Sequence, residues 1–327
     1  MGKNVALVLS SGGPRGFAYI GAIEELLSRG YNITSVSGCS VGSLIGGVYA
    51  AGGLEDFKKW LYGLDNLKML RLLDVSISRS YLVRGERLMA KIKSVVPEVN
   101  IEDMAIPYVA VAADLYTGEQ VVFREGPLFE AIRASISIPS MFRPVKWRHR
   151  TLVDGGIVNT FPLDLVKRTP GDILVGFDVN DIDSSSINSF LQDRDSLREG
   201  SIGFSKILGS GKGLSLLDKV RMVGDMGEKI LKERREKGEE EKKLLLHGRE
   251  AHLPVSADDS YFSILDRCFS ITNHVIAKLD AEACPPDVLV KMPLDAYQSI
   301  TDYVKGEEIA EKGRALMAEA LDRYESA

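Results

Sequence analysis

Apolar runs and helix-period segments alternate along the first half of the chain. Residues 5–9 and 108–113 are short, unbroken apolar runs, which are typical of strands buried on both faces of a sheet. Further strands are predicted at residues 33–36, 119–123, 150–153 and 173–177. Helices are predicted at residues 17–28, 41–51, 54–73, 85–95 and 128–135. This rhythm predicts an α/β fold with a mostly parallel central sheet.

The composition changes near residue 181. From there to about residue 250 the chain is rich in Ser and Gly and then densely charged, which predicts a partly helical insertion. A helix at residues 259–281, a strand at 288–290 and a helix at 307–324 follow. We therefore expect a core at 3–180, an insertion or lid at 181–250, and a C-terminal part at 251–327 that completes the core.

Bulk properties exclude several classes of protein. The 327 residues are 45% hydrophobic and 27% charged, with a net charge of −5, so nothing indicates a nucleic-acid binder. No apolar run approaches the roughly 20 residues of a membrane span, and the first apolar run is too short for a signal peptide. Three scattered cysteines predict neither disulfides nor a metal site. We expect a cytoplasmic protein; its oligomeric state cannot be predicted.

Ser40 lies at the centre of a G-x-S-x-G pattern between a predicted strand and a small-residue helix. In a nucleophile elbow the serine stands at a sharp strand-to-helix turn, and its flanking glycines, here Gly38 and Gly42, avoid collisions with the crossing backbone. The alternative is a Gly-rich turn in which Ser40 only caps the helix. The five residues alone do not decide between them.

A second Gly-rich turn follows the first strand and precedes a helix. Such a turn directs backbone N–H groups at negative charge. It lacks the first Gly of G-x-G-x-x-G, and no G-K-[ST] follows, so nucleotide binding is disfavoured. An oxyanion hole is the other use, with donors from the residues around Pro14, which itself has no N–H. The candidates are Gly12, Gly13, Arg15 and Gly16.

The base that would activate Ser40 is the open question. The order Ser40, Asp154, then a histidine formally fits a triad, but each histidine lies on a segment that looks structural, mobile or exposed. The four are His149, His247, His252 and His274. Asp154 is the better candidate because it ends an apolar strand and precedes Gly155 and Gly156, which permit a tight turn. A plain Asp-Gly turn is the alternative.

These motifs together resemble the patatin-like phospholipase family. The Gly-rich turn at 12–16, the elbow at 38–42 and Asp154-Gly155-Gly156 occur in that order, and residues 113–119 and 134–142 are similar to stretches of bacterial members. The resemblance covers about residues 3–180. It implies a three-layer α/β/α fold and lipid acyl hydrolysis by a Ser–Asp dyad, without histidine, metal or cofactor.

Carried onto this sequence, the resemblance implies that Ser40 is the nucleophile, that Asp154 is the base, and that the 12–16 turn holds the oxyanion. Ser11 departs from the family, which commonly has Gly there; a serine fits unless its φ is positive. The expected substrate is a phospholipid or lysophospholipid. The alternatives are a general serine esterase or acyltransferase on non-lipid esters, and a non-catalytic lipid-binding module.

One segment of the insertion suggests peripheral membrane contact. Apolar residues recur at helical spacing across residues 216–231, flanked by basic side chains, as in helices that lie in an anionic headgroup region. Packing of this stripe on the core or on a second subunit is the more common use of such a helix.

Overall fold

The computed structural model describes residues 3–72, 74, 81–182, 261–297 and 302–326. Most of these residues form one compact unit, Met1–Asp183 with Leu265–Ala327. Apart from Asp181 and Ile182, the predicted insertion lies outside the described residues, as do its helix at 216–231, His247 and His252. The predicted domain boundaries therefore stay a prediction.

A mixed, mostly parallel sheet forms the centre of the unit, in the order β10-β9-β1-β2-β4-β8-β7, with β5 on the second edge of β4. Four neighbouring pairs are parallel, and β5, β8 and β7 add antiparallel pairs at one end. A separate two-stranded sheet joins β3 to β6. The strands are β1 (Lys3–Leu9), β2 (Tyr31–Cys39), β3 (Tyr81–Val83), β4 (Tyr108–Asp114), β5 (Gln120–Phe123), β6 (Ser140–Phe142), β7 (Val145–Trp147), β8 (Arg150–Asp154), β9 (Ile173–Asp181) and β10 (Val288–Pro293).

Helices cover both faces of this sheet. The described helices are α1 (Ala18–Ser28), α2 (Val41–Ala50), α3 (Leu54–Tyr62), α4 (Asn66–Leu72), α5 (Glu86–Lys93), α6 (Leu128–Ser135), α7 (Tyr261–Ala283) and α8 (Gly306–Ser326). Alternate residues of β1 enter different cores. Val5, Leu7 and Leu9 join the core under α1, α2 and α8, whereas Ala6 and Val8 pack with Phe161 and Ala277 of α7. The unbroken apolar run is thus buried on both faces, as its sequence predicts.

Strand β4 places the ends of two other strands next to each other. Along one edge of β4, Cys39 at the end of β2 pairs with Val111, and Asp154 at the end of β8 pairs with Ala112. Strand β5 occupies the opposite edge, where Val121 pairs with Ala112. Since β2 and β8 run in opposite directions, their carboxyl ends meet on consecutive residues of β4. The residues that follow these ends are brought together by backbone pairing.

Two glycines allow α1 and α8 to pack with their backbones in contact. A Cβ on Gly21 would lie 1.9 Å from the carbonyl oxygen of Ala310, and one on Gly313 would lie 2.0 Å from that of Ala18. Neither carbonyl can move without displacing its helix. The helix that carries the 12–16 turn is therefore fixed directly against the C-terminal helix.

We predict that Gly313→Ala destabilises the protein by about 1–3 kcal/mol, because the added methyl group overpacks the contact with Ala18. Helix propensity alone gives the opposite sign, since alanine stabilises an exposed helix position relative to glycine by about 1 kcal/mol. Ala315→Gly, on the exposed face of α8, is the matched control, with a loss of about 1 kcal/mol expected. Urea denaturation measures both variants. A Gly313→Ala protein that is more stable than wild type would show that this close contact does not constrain the helices.

Candidate active site

Ser40 lies at a strained turn between β2 and α2. Its backbone has φ 53° and ψ −121°, an uncommon conformation for a residue with a side chain. A Cβ on Gly38 would lie 2.4 Å from the backbone of Gly42, and one on Gly42 would lie 2.2 Å from the carbonyl oxygen of Leu9. Gly38 is therefore needed where β2 crosses α2, and Gly42 is needed where α2 approaches the end of β1, as the elbow pattern predicts.

The side chain of Ser40 contacts Asp154 and does not cap α2. Its hydroxyl donates a 2.6 Å hydrogen bond to Asp154 Oδ2, and no side-chain bond caps the helix. The other carboxylate oxygen, Oδ1, accepts the backbone N–H of Gly156 at 2.8 Å. Ser40 is 4% exposed and Asp154 is fully buried. The helix-cap interpretation of Ser40 is wrong.

Burial changes the acidity of Asp154. It raises the pKa of this carboxyl to about 7, against the opposing effect of the hydrogen bonds from Ser40 and Gly156. A carboxyl group with this pKa is partly ionised near neutral pH and is a stronger base than an exposed carboxylate. The pair can therefore move the Ser40 proton onto Asp154 in one short step.

Gly155 and Gly156 let the chain turn tightly after Asp154. A Cβ on Gly155 would lie 2.4 Å from the carbonyl oxygen of Val111, and one on Gly156 would lie 2.8 Å from Asn273 Oδ1. Side chains at either position would push the turn away from β4 or from α7. These glycines hold Asp154 at its place beside Ser40.

The Gly-rich turn lies against the start of α2. Gly12 and Gly13 have φ values of 153° and 59°, which favour glycine. A Cβ on Gly16 would lie 2.3 Å from Val41, the residue after Ser40. Among the described residues, the backbone N–H groups of Gly12 and Gly13 have no hydrogen-bond acceptor. These N–H donors are thus in the loop that borders the elbow.

Arg15 anchors this turn instead of presenting its charge to solvent. Its side chain is buried, and Nε donates to the carbonyl oxygen of Val179 at 3.0 Å. A longer bond of 3.4 Å runs from Nη1 to the carbonyl oxygen of Tyr297. Burial lowers the pKa of this guanidinium. The turn is therefore tied to β9 and to the C-terminal part of the chain.

Ser11 occupies its position without strain. It does not have a positive φ, and Asn180 Nδ2 donates to its carbonyl oxygen at 2.7 Å. Its backbone N–H donates to the carbonyl oxygen of Thr160 at 3.0 Å. The departure from the usual glycine therefore leaves the backbone of the turn fixed on both sides.

One segment, residues 133–137, holds both members of the pair, and the sequence motifs assigned it no role. Ser40 N–H donates to Ser135 Oγ at 2.9 Å, and Asp154 N–H donates to the carbonyl oxygen of Ser137 at 2.9 Å. Arg133 Nη1 donates to Ser137 Oγ at 2.6 Å. Serines at alternate positions at the end of α6 and just after it, positions that serine favours over a helix interior, are the signal that could have identified this segment.

Neither described histidine contacts the pair. His274 Nδ1 is 2.8 Å from the carbonyl oxygen of Asn180, and His149 is exposed on the turn between β7 and β8. Cys39 precedes Ser40 but is fully buried, and burial raises the pKa of its thiol well above its usual value. The cysteine therefore lacks the access and the acidity of a reactive thiol.

Two further features of the described residues bear on function. No group of three His, Cys, Asp or Glu side chains within 3–72, 74, 81–182, 261–297 and 302–326 could hold a metal ion. None of the helices in those same ranges combines the length and the hydropathy that a membrane span requires.

Comparison with known proteins identifies the family. The model of the patatin-like phospholipase family matches residues 7–167. Uncharacterized NTE family proteins of Mycobacterium bovis and Mycobacterium tuberculosis are 32% identical, over 98% of this chain and 92% of their own length. A patatin-like phospholipase domain-containing protein of Caenorhabditis elegans is 32% identical over 58% of this chain and 14% of its own. This chain therefore belongs to the patatin-like phospholipase family.

Proposed function

We propose that this protein is a serine lipid acyl hydrolase that cleaves carboxylic ester bonds of phospholipids or lysophospholipids. Ser40 is the nucleophile and Asp154 the general base. The observation that carries the proposal is the buried 2.6 Å hydrogen bond from Ser40 Oγ to Asp154 Oδ2. A serine hydroxyl is a weak nucleophile until a base within hydrogen-bond reach takes its proton.

In the first half of the reaction, Ser40 Oγ attacks the ester carbonyl while its proton passes to Asp154 Oδ2. The tetrahedral intermediate then collapses, and Asp154 gives the proton to the leaving alcohol, which is a lysophospholipid or, when the substrate is itself a lysophospholipid, a glycerophosphodiester. The acyl group remains on Ser40. Asp154 returns to the carboxylate form that it had before the attack.

In the second half, Asp154 accepts a proton from a water molecule that attacks the acyl-enzyme. Collapse of the second tetrahedral intermediate releases the fatty acid, and the proton returns to Ser40 Oγ. Because Asp154 Oδ1 stays bonded to Gly156 N–H, Oδ2 is the oxygen that carries the proton in both halves.

The negative charge on each tetrahedral intermediate is stabilised by the 12–16 turn. Gly12 and Gly13 offer N–H groups with no acceptor among the described residues. Each oxyanion donor of this kind typically lowers the activation free energy by about 2.7–4 kcal/mol. Arg15 and Gly16 act indirectly. The Arg15 side chain anchors the turn to Val179. Because Gly16 has no side chain, the turn can approach Val41 closely.

The family supports the proposal of a lipid substrate, and so does the name of a relative, patatin-like phospholipase domain-containing protein 7 of Mus musculus. A general serine esterase or an acyltransferase would use the same pair of residues, and a panel of lipid and short soluble esters separates these functions. A lipid-binding module without catalysis would have no need of a short Ser40–Asp154 bond. The cytoplasmic location expected from the sequence is part of this proposal.

Ser40→Ala should reduce ester hydrolysis to background and abolish labelling by a fluorophosphonate probe, because among the described residues no other hydroxyl donates to the Asp154 carboxylate. Mass spectrometry of the labelled wild-type protein should locate the probe on Ser40. Cys39→Ala is the control at the neighbouring position and should retain labelling, as should wild-type protein treated with iodoacetamide. Labelling of Ser40→Ala at another serine would assign the nucleophile elsewhere.

Asp154→Asn should lower the rate of hydrolysis by about 10²–10⁴-fold, the contribution of a general base, since an amide accepts no proton. His274→Gln and His149→Ala should each change it little. The Asn variant should also be at least as stable as wild type at pH 8. The pKa of Asp154 rises from 3.8 to about 7 on folding, so stability is lost as pH rises through that range.

Thermal melts at pH 4 and pH 8 check the stability, and initial rates check the activity. If a histidine variant that remains folded is as damaged as Asp154→Asn, the site is a triad. If the Asn variant is less stable than wild type at pH 8, its loss of activity cannot be assigned to the missing base.

A further inference from the structure

Two hairpin turns project from the edge of the sheet at which Ser40 lies. The turn between β4 and β5 holds Leu115 and Tyr116, and the turn between β7 and β8 follows Trp147 and holds Arg148. Both turns lie beyond Asp114, the last residue of β4, which is three positions past the partner of Cys39. At about 3.3 Å per residue, this carries them roughly 10 Å beyond the level of the elbow. We call Leu115, Tyr116, Trp147 and Arg148 the hairpin-tip surface.

The first hairpin exposes two consecutive large apolar side chains. Leu115 is 47% exposed and Tyr116 is 78% exposed, the highest value for any large hydrophobic side chain in the described ranges. Single exposed apolar residues are common on soluble proteins, but adjacent ones at a turn tip have no packing partner to explain them. A hairpin turn here would be served equally well by polar residues.

The second hairpin adds an aromatic ring and positive charge. The Arg148 guanidinium stacks over the Trp147 ring, 4.4 Å from its centre, and His149 next to it is exposed. In the part of the chain that the structure describes, no carboxylate pairs with Arg148 or with Lys146. Phe123 also contacts the Trp147 ring, in an edge-on arrangement with the ring centres 5.3 Å apart. The hairpin thus presents a supported aromatic–cation pair.

The two hairpins are fixed to each other. Leu115 N–H donates to the carbonyl oxygen of Thr151 at 2.8 Å. Arg150 forms an ion pair with Glu119 at 2.8 Å and lies 3.6 Å from Asp114. One backbone bond and one side-chain bridge therefore join neighbouring turns. The hairpin-tip surface is a single rigid patch, and its exposed side chains are not the result of a loose loop.

We propose that the hairpin-tip surface docks on an anionic phospholipid bilayer and brings the Ser40 edge of the sheet to the lipid. This inference rests on the proposed function, since it names the surface on which that substrate is met. Tyr and Trp favour the water–headgroup boundary, and unpaired basic groups are attracted to anionic headgroups. A bilayer surface presents charged headgroups and acyl chains in adjacent parallel layers. A protein surface with basic and apolar side chains next to each other can therefore contact both layers.

Co-sedimentation with vesicles tests the docking in a Ser40→Ala background, in which the lipid is not consumed. The vesicles are phosphatidylcholine alone or an equimolar mixture of phosphatidylcholine and phosphatidylglycerol. We expect the parent to bind the mixed vesicles and Leu115→Ser/Tyr116→Ser to bind them about tenfold more weakly. Arg148→Glu should lose the preference for the anionic lipid. Leu27→Ser is the matched control: Leu27 is 44% exposed, near the end of α1, which leads back to the opposite edge of the sheet.

Fluorescence provides a second measurement that does not depend on these variants. The chain has two tryptophans, so Trp60→Phe leaves Trp147 as the only indole, and its emission should shift to shorter wavelength when mixed vesicles are added. A parent protein that binds neither vesicle, an unshifted Trp147, or an equal loss for Leu27→Ser would overturn the docking proposal. With Ser40 restored, the tip variants should hydrolyse a short soluble ester at the wild-type rate. Absent hydrolysis together with tip-dependent vesicle binding would overturn the proposed function and leave the docking surface standing.

Discussion

The pairing of β4 with both β2 and β8 along one edge is the constraint on which the rest of the site depends. Val111 and Ala112 are consecutive residues, and they hold Cys39 and Asp154. The Ser40 hydroxyl and the Asp154 carboxylate are more than a hundred residues apart in sequence. The backbone hydrogen bonds of β4 bring them together, independently of the side-chain contact between them. A shift of either strand by one residue would turn its side chains to the other face of the sheet and separate the pair.

This arrangement buries the Asp154 carboxyl group away from water, and hydrogen bonds from neighbouring residues partly replace its lost hydration. Burial raises the pKa of Asp154 to about 7, so the charged form is costly but basic. The backbone N–H of Gly156 and the hydroxyl of Ser40 stabilise that charge, while the carbonyl oxygen of Ser137 fixes the Asp154 backbone. Ser135 in the same segment holds the strained backbone of Ser40. The strained backbone of Ser40 and the buried carboxyl group of Asp154 therefore lie side by side, and hydrogen bonds to segment 133–137 hold both residues in place.

Periodicity and motifs predicted most of this from the sequence, but not the parts that depend on pairing. Apolar runs located β1, β4 and β9, and glycines flanking Ser40 and following Asp154 pointed to close backbone approach, which the contacts of Gly38, Gly42 and Gly155 confirm. The three-residue strands β3, β6 and β7 are too short to show a period. The antiparallel direction of β8 and the role of Ser135 depend on contacts between distant segments, which no local pattern records.

The pH dependence of kcat/KM for a short soluble ester tests the central claim most directly, because it reports the ionisation of the base in the free enzyme. If Asp154 takes the proton from Ser40, the rate of the wild-type enzyme rises through a single ionisation near pH 7, set by the pKa of about 7, and levels off above it. His274→Gln should keep this profile, and the residual activity of Asp154→Asn should lose it. A titration near neutral pH that persists in Asp154→Asn, or one that disappears in His274→Gln, would contradict the account.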